Sequence, residues 1–343
     1  MTNVVTGGAG FFGEVLVQHL LNAGEKVTCF DLNAPSFTHK NLTIVQGDVR
    51  VRDDVKKALK KAARVYHNIA QVPVAKDKAL FKSVNETGTR ILLEECVKAR
   101  VEKFIYTSSS AVFGVPAHNP VRTTDTPTPG EAYGLSKLVG EQMCMEFAEQ
   151  GLPYSIVRPR TVLGHGRLGI FQILFEWVYQ GKNIPVLGNG DNLYQFVHGD
   201  DLARACHLAG HTTTNAIYHV GAAEFGTMRQ VLEHLCAHAG TGSTVKSVPM
   251  GVAEMGMNIT SSLGLSPLGA YHALMYGRSM YFDMAETKKS LKFTPTYSNN
   301  LMFTETYDWY VQNRDAILSS KLAGSKHQSA MKQHILALVP YLI

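Results

Sequence analysis

The chain has 343 residues, 45% of them hydrophobic and 18% charged, a globular balance that speaks against a disordered, collagenous or coiled-coil protein. Its 33 Lys and Arg against 28 Asp and Glu leave a formal charge of +5, and with no basic run this small excess names no nucleic-acid partner. The five cysteines, at positions 29, 96, 144, 206 and 236, are odd in number and widely spaced, with no C-x-x-C pair, so neither a disulfide framework nor a metal site is expected. They read as small core residues of a protein kept in a reducing, cytoplasmic interior.

In chain order, residues 3–6, 26–30, 42–46, 64–68, 103–108 and 154–158 have the short apolar pattern of strands. Between them, residues 14–23, 52–62, 85–99 and 132–150 have helical spacing. Strands alternating with helices predict an α/β fold with a parallel sheet, whose ligands bind at the carboxyl ends of the strands. Past about residue 165 the alternation loosens. Residues 170–179 still read as a helix and 216–220 as a late strand, while 187–192 are turn-rich. Residues 251–280 are rich in Gly, Ser, Met and Leu with few charges, the composition of a substrate lid, a subunit contact, a membrane-facing flap or a packed irregular loop. The organisation expected is a dinucleotide-binding domain over 1–165 with later segments returning to its sheet, a smaller substrate-binding portion over 166–320, and an amphipathic tail over 321–343. The tail's apolar part is shorter than the roughly 20 residues a membrane span needs. It is expected to dock on the protein, on a second subunit or at a membrane surface.

The first strand runs into Gly7-Gly8-Ala9-Gly10-Phe11-Phe12-Gly13, and a helical pattern follows. Gly10 lets backbone approach a pyrophosphate, the helix start offers free N–H groups, and Gly13 allows helix and strand to pack closely. Asp31 closes the second strand 18 residues past Gly13, near the ~20 expected for a carboxylate on the adenosine ribose. It would repel a 2′-phosphate, and no Arg in 32–36 would attract one, so the cofactor expected is NAD rather than NADP. Asp48, in Gly47-Asp48-Val49, follows the third strand, where it could meet the adenine amino group or simply make a turn. Val49 and Ala70, the latter after the fourth strand, complete this set.

Tyr133 and Lys137 stand four apart near a helix start, on one face. A phenol is a poor base at pH 7, and a neighbouring ammonium together with an oxidised nicotinamide ring would favour its phenolate. Thr107-Ser108-Ser109-Ser110 ends the fifth strand with hydroxyls that could hold the substrate oxygen.

Together these residues resemble the extended short-chain dehydrogenase/reductase family, in its NAD-dependent epimerase/dehydratase branch. The resemblance spans roughly residues 1–320. It includes Asn85-x-x-Gly-Thr, Ser-Ser-Ser-Ala-Val-Phe-Gly, Tyr-Gly-Leu-Ser-Lys, Arg158-Pro159-Arg160 and Phe196-Val197-His198-Gly199-Asp200-Asp201, in the family's order. It implies a Rossmann-type doubly wound sheet, with Tyr133 as acid/base, Lys137 as its helper, Ser109 as the third catalytic group, and Pro159 beside the nicotinamide. It also implies a homodimer through residues 85–99 and 132–150. Two departures stand out. Ser109-Ser110-Ala111 replaces the Thr-Asp-Glu of dehydratases, which removes the acid/base pair for eliminating water. Tyr194 stands where nucleotide-sugar enzymes carry an Arg for the substrate diphosphate, and Thr161 replaces an Asn. Ser110, Arg160, Thr161, Arg167 and Tyr194 are therefore the expected substrate contacts. His118, His165 and His198 lie near the same end and are more often structural.

Three functions compete for a small-molecule substrate. The first is epimerisation of a carbinol in a nucleotide sugar or related carbohydrate by transient oxidation. The second is net oxidation or reduction of a hydrophobic alcohol or ketone, because Arg158-Pro159-Arg160 is also similar to the hydroxysteroid dehydrogenase branch. The third is dinucleotide binding without catalysis, against which the intact Tyr, Lys and Ser argue.

Overall fold

The computed structural model describes residues 2–71, 78–167, 170–251, 255 and 276–319. Most of the 251–280 segment and all of the tail 321–343 lie outside the described residues. Seven strands form one parallel sheet: β1 (Thr2–Thr6), β2 (Val27–Asp31), β3 (Leu42–Gln46), β4 (Ala62–His67), β5 (Lys103–Thr107), β6 (Tyr154–Pro159) and β10 (Ala216–Val220). Their spatial order is β10-β6-β5-β4-β1-β2-β3. The chain leaves β1 toward β2 and β3, then crosses back to β4 on the other side, and a crevice opens at that reversal. The sheet confirms the doubly wound α/β reading, and β10 is the late return to it.

Apolar runs make central strands here because both faces are covered. Val4 and Val5 are fully buried on opposite faces of β1. On one side α1 (Phe11–Asn22) and α7 (Gly199–Ala209) pack with Leu16, Val17, Leu20 and Ala205 against Val5, Ile105 and Val157. On the other side α2 (Arg52–Ala58), α4 (Thr89–Lys98) and α5 (Ala132–Ala148) bring Val55, Leu92 and Phe147 against Val4, Val65 and Phe104. A separate cluster, with Phe175, Tyr194, Phe196, Leu235 and Phe303, joins α6 (Ile170–Tyr179), α8 (Met228–Ala239) and the last helix, Asn299–Leu318. Two short parallel ladders belong to this portion: β7 (Thr161–Leu163) with β9 (Phe196–His198), and β8 (Ile184–Leu187) with β11 (Val245–Val248).

Two helix boundaries differ from the periodicity. The helix expected over 52–62 stops at Ala58, because Lys61 adopts a left-handed φ of 64° and Ala62 already opens β4. The helix expected over 85–99 begins as a π-helical stretch, Ser83–Gly88, before α4. Inside that wide turn the Asn85 amide binds both the N–H and the carbonyl of Gln71, at 2.7 and 3.1 Å, and reaches Ser136 Oγ at 3.1 Å. It thereby ties the loop after β4 to α5. All five cysteines are free and buried.

A buried ion pair joins the elements that carry the chemistry. Arg158, on β6, donates from Nε and Nη2 to the two oxygens of Glu141, on α5, at 2.8 and 2.6 Å. Ser108, just past β5, donates to the same carboxylate at 2.5 Å. Both charged side chains are almost completely buried. Glu141→Ala is expected to cost about 3–5 kcal/mol in denaturant unfolding, because it strands a buried guanidinium. A loss below about 1 kcal/mol would show that the pair does not hold these elements together.

Candidate active site

The glycine loop leaves β1 at Gly7, whose φ of +70° suits glycine, and turns into α1 at Gly10. A Cβ on Gly13 would lie 1.9 Å from the Gly7 carbonyl oxygen, so only glycine permits this approach of helix to loop. Gly10, at the N-cap, supplies no side-chain cap, and the first N–H groups of α1 remain available to an anion. Asp31, at the end of β2, accepts from the N–H of Ala9 at 3.2 Å and of Asn33 at 3.0 Å. It stands against the loop as a ribose-binding carboxylate must. A glycine cradle, an uncapped helix start and an adjacent carboxylate fit a dinucleotide whose ribose hydroxyls are free.

Asp48 stands in a turn after β3, where its Oδ1 accepts from the Arg50 N–H at 2.9 Å. Arg50 grips its carboxylate through Nε at 2.9 and 3.0 Å and Nη2 at 2.5 Å, and this pairing holds Asp48 below the usual carboxylate range. Val49 is buried, within reach of any Cβ on Gly88. Phe11 is buried beneath the Arg167 guanidinium, 5.6 Å away, whereas Phe12, the next residue of α1, is partly buried against the core. Ala70 lies in the loop that follows β4 at the same sheet edge.

The three serines after β5 have separate partners. Ser108 serves Glu141, as above. Ser109 accepts from the Ala111 N–H at 3.1 Å and hydrogen-bonds the Tyr133 phenol. Ser110 accepts from Arg160 Nη1 at 2.7 Å. Glu131 caps α5 by accepting from the N–H groups of Tyr133 and Gly134, each at 2.6 Å, and so fixes where Tyr133 projects. Lys137 Nζ donates to the Thr107 carbonyl at 2.8 Å and stands 6.0 Å from the Tyr133 ring centre. The structure therefore gathers Ser109, Tyr133 and Lys137 at the carboxyl edge of the sheet.

The electrostatics differ from the expected Tyr–Lys pairing. Burial pushes the Tyr133 phenol up to about 12, and the opposing influences are the Arg167 cation and then the Ser109 hydrogen bond. Burial lowers Lys137 to about 8. With its ammonium committed to Thr107, Lys137 leaves the phenol protonated until another positive charge arrives. The oxidised nicotinamide of a bound dinucleotide is such a charge.

The other expected substrate contacts gather under Arg160, whose guanidinium lies 4.7 Å from the Tyr194 ring centre and 5.7 Å from that of Phe282. Tyr194 is buried and its hydroxyl meets Thr161 Oγ1 at 2.9 Å. Arg160 Nε and Nη2 are buried without a hydrogen-bond partner among the described residues. The three histidines are engaged structurally: His118 with Asp125 at 3.0 Å, His165 with Glu305 at 2.9 Å, and His198 stacked on Tyr297 at 3.8 Å.

Residues 3–221 match the family model described as "NAD dependent epimerase/dehydratase family". The chain belongs to the NAD-dependent epimerase/dehydratase family. Over all 343 residues it is 53% identical to y4nG, an uncharacterised protein of Sinorhizobium fredii, covering 86% of that protein. Over 212 residues, 58% of this chain and 56% of the relative, it is 34% identical to the human sterol-4-alpha-carboxylate 3-dehydrogenase, decarboxylating. A solved structure of MoeE5 in complex with UDP-glucuronic acid and NAD is 25% identical, covers 91% of this chain and 100% of its own, and has a TM-score of 0.75. This epimerase/dehydratase-family member is an NAD-dependent enzyme, and NAD is its cofactor. No helix among the described residues is long and apolar enough to cross a membrane.

Glu131, Glu141 and Arg167's proximity to Tyr133 escaped the motif reading of the family's site. Only Glu131 carried a local signal, as an acceptor just before the Tyr133 helix.

Tyr133→Phe is expected to lower turnover by about 10²–10⁴ with NAD binding retained; retention of full turnover would remove Tyr133 from the chemistry. Asp31→Ala is expected to weaken NAD binding at least about tenfold and to narrow its advantage over NADP, as read by titration of both. Lys137 sheds its proton near pH 8 in the fold but near its ordinary 10.5 when unfolded. Between those values the unfolded chain binds more protons, so this group's contribution to stability improves as pH rises. The stability advantage of Lys137→Met over the parent is therefore expected to be largest at pH 7 and to shrink toward pH 10 in denaturant melts.

Proposed function

We propose that the enzyme epimerises a secondary carbinol of a nucleotide sugar or related carbohydrate. The observation that carries this reading is the joint placement of Ser109, Tyr133 and Lys137 beside the glycine cradle. Bound NAD supplies a hydride acceptor that gives the hydride back. Tyr133 takes the hydroxyl proton as the carbon is oxidised and returns it after the keto group has presented its other face. Ser109 holds the same oxygen, and Lys137 fixes the ribose side of the site. The likeness to the MoeE5 complex with UDP-glucuronic acid and NAD, over 91% of the chain, supports a nucleotide-sugar substrate. The lack of an acid/base pair at Ser110 and Ala111 speaks against a dehydratase.

A second reading, net oxidation of a hydrophobic carbinol, is favoured by one observation. Where a diphosphate-pairing Arg would stand, Tyr194 is buried and packed under Arg160. The 34% identity to the human sterol enzyme supports the same reading.

The test denatures freshly purified protein and counts the dinucleotide released per chain, then offers UDP-sugars and, separately, hydroxysteroids with added NAD. Near-stoichiometric NAD with conversion of a UDP-sugar and no net NADH is the expected result. An empty protein that forms NADH from hydrophobic alcohols would overturn epimerisation in favour of the second reading.

A further inference from the structure

At the end of α1 and α7 away from the glycine loop, about 18 Å along α1, three donor atoms converge. Glu25 follows α1, His207 lies in the last turn of α7, and His211 lies just beyond it. One donor atom from each lies within 4.8 Å of the others. Glu25 Oε1 is 3.8 Å from His207 Nε2 and 4.0 Å from His211 Nε2. These gaps are too wide for hydrogen bonds. They suit a shared ion about 2.0–2.2 Å from each donor after a small inward shift.

Three further observations point to a ligand. His207 Nε2 is buried and has no hydrogen-bond partner among the described residues, an orphan that a bound ion would satisfy. Its other nitrogen, Nδ1, lies 3.1 Å from His19 Nε2, the outer contact by which a ligating imidazole is oriented. The second oxygen of Glu25 is held by Asn3 Nδ2 at 3.1 Å, which turns Oε1 to the imidazoles. Arg64 opposes a cation. It is anchored to the Gly210 carbonyl at 2.9 Å, and its Nη2 stands 3.4 Å from His211 Nδ1. That last contact is long, and it would be given up once Nδ1 carries the proton.

We infer that Glu25, His207 and His211 form a three-ligand site for a zinc-class divalent cation, with the fourth position open to water. Two imidazoles and one carboxylate suit zinc and disfavour magnesium or calcium. The ion would clamp the distal ends of α1 and α7 and take no part in hydride transfer, because Tyr133 lies at the opposite edge of the sheet.

The test titrates tag-free, chelator-treated full-length protein with zinc chloride by calorimetry and follows its melting. One ion per chain and a rise of about 3–5 °C in Tm at saturating zinc are expected. His211→Ala and Glu25→Gln, both at partly exposed positions, should each raise Kd at least about tenfold and leave NAD binding unchanged. Absence of zinc binding, or binding of the same affinity in both variants, would overturn the site.

Discussion

The bidentate contact between Glu141 and Arg158 is the constraint on which the site rests. It is buried where stranding either charge is costly, so α5, β5 and β6 hold one relative position. α5 carries Tyr133 and Lys137, the end of β5 leads to the serines, and β6 ends in Pro159 before Arg160. A shift of α5 by an ångström would separate Tyr133 from Ser109, and positioning on that scale governs rate. The Asn85 amide adds a second anchor at the start of α5, through Ser136. The site is thus a property of how three elements meet, held by polar contacts that lie outside the reacting groups.

Burial does two opposite things there. It drives the phenol of Tyr133 upward and the ammonium of Lys137 downward, because a low-dielectric surrounding disfavours both charged forms. The Tyr133 phenol is therefore protonated at neutral pH. Arg167, poised over Phe11 beside the glycine loop, is the cation that most favours the phenolate. Positive charge beside the phenol offsets its burial, and the cradle bounded by Gly7, Gly13 and Asp31 lies at the same edge of the sheet. Beneath it, Arg160 keeps two donors unsatisfied between aromatic rings.

The carboxyl edge of the sheet concentrates chemistry because every strand of a parallel sheet ends there in the same sense. The opposite edge carries the proposed cation site. There Glu25, His207 and His211 are brought together by two helices that both start at the cradle and run away from it. Their positions in the chain are nearly 190 residues apart at the extremes, so spacing rules for metal ligands, which look for local pairs, had no purchase on them.

Features that depend on neighbours along the chain were legible before the fold was known. The alternation of strands and helices, the glycine loop with its close packing at Gly13, Asp31 at the end of β2, and the four-residue step from Tyr133 to Lys137 are all local patterns whose geometry follows from helix and strand periodicity. Even there, the left-handed Lys61 and the π turn around Asn85 moved helix boundaries, since a single backbone angle or a long-range clamp overrides periodicity. Which serine serves which partner, that Arg50 pairs with Asp48, that Tyr194 is buried against Arg160 and Thr161, and that Glu141 and Arg158 join at the centre all came from the fold. Each of these depends on burial and on partners distant in sequence, where desolvation sets the cost of every unpaired group, and desolvation is a property of the folded surroundings rather than of any residue taken alone.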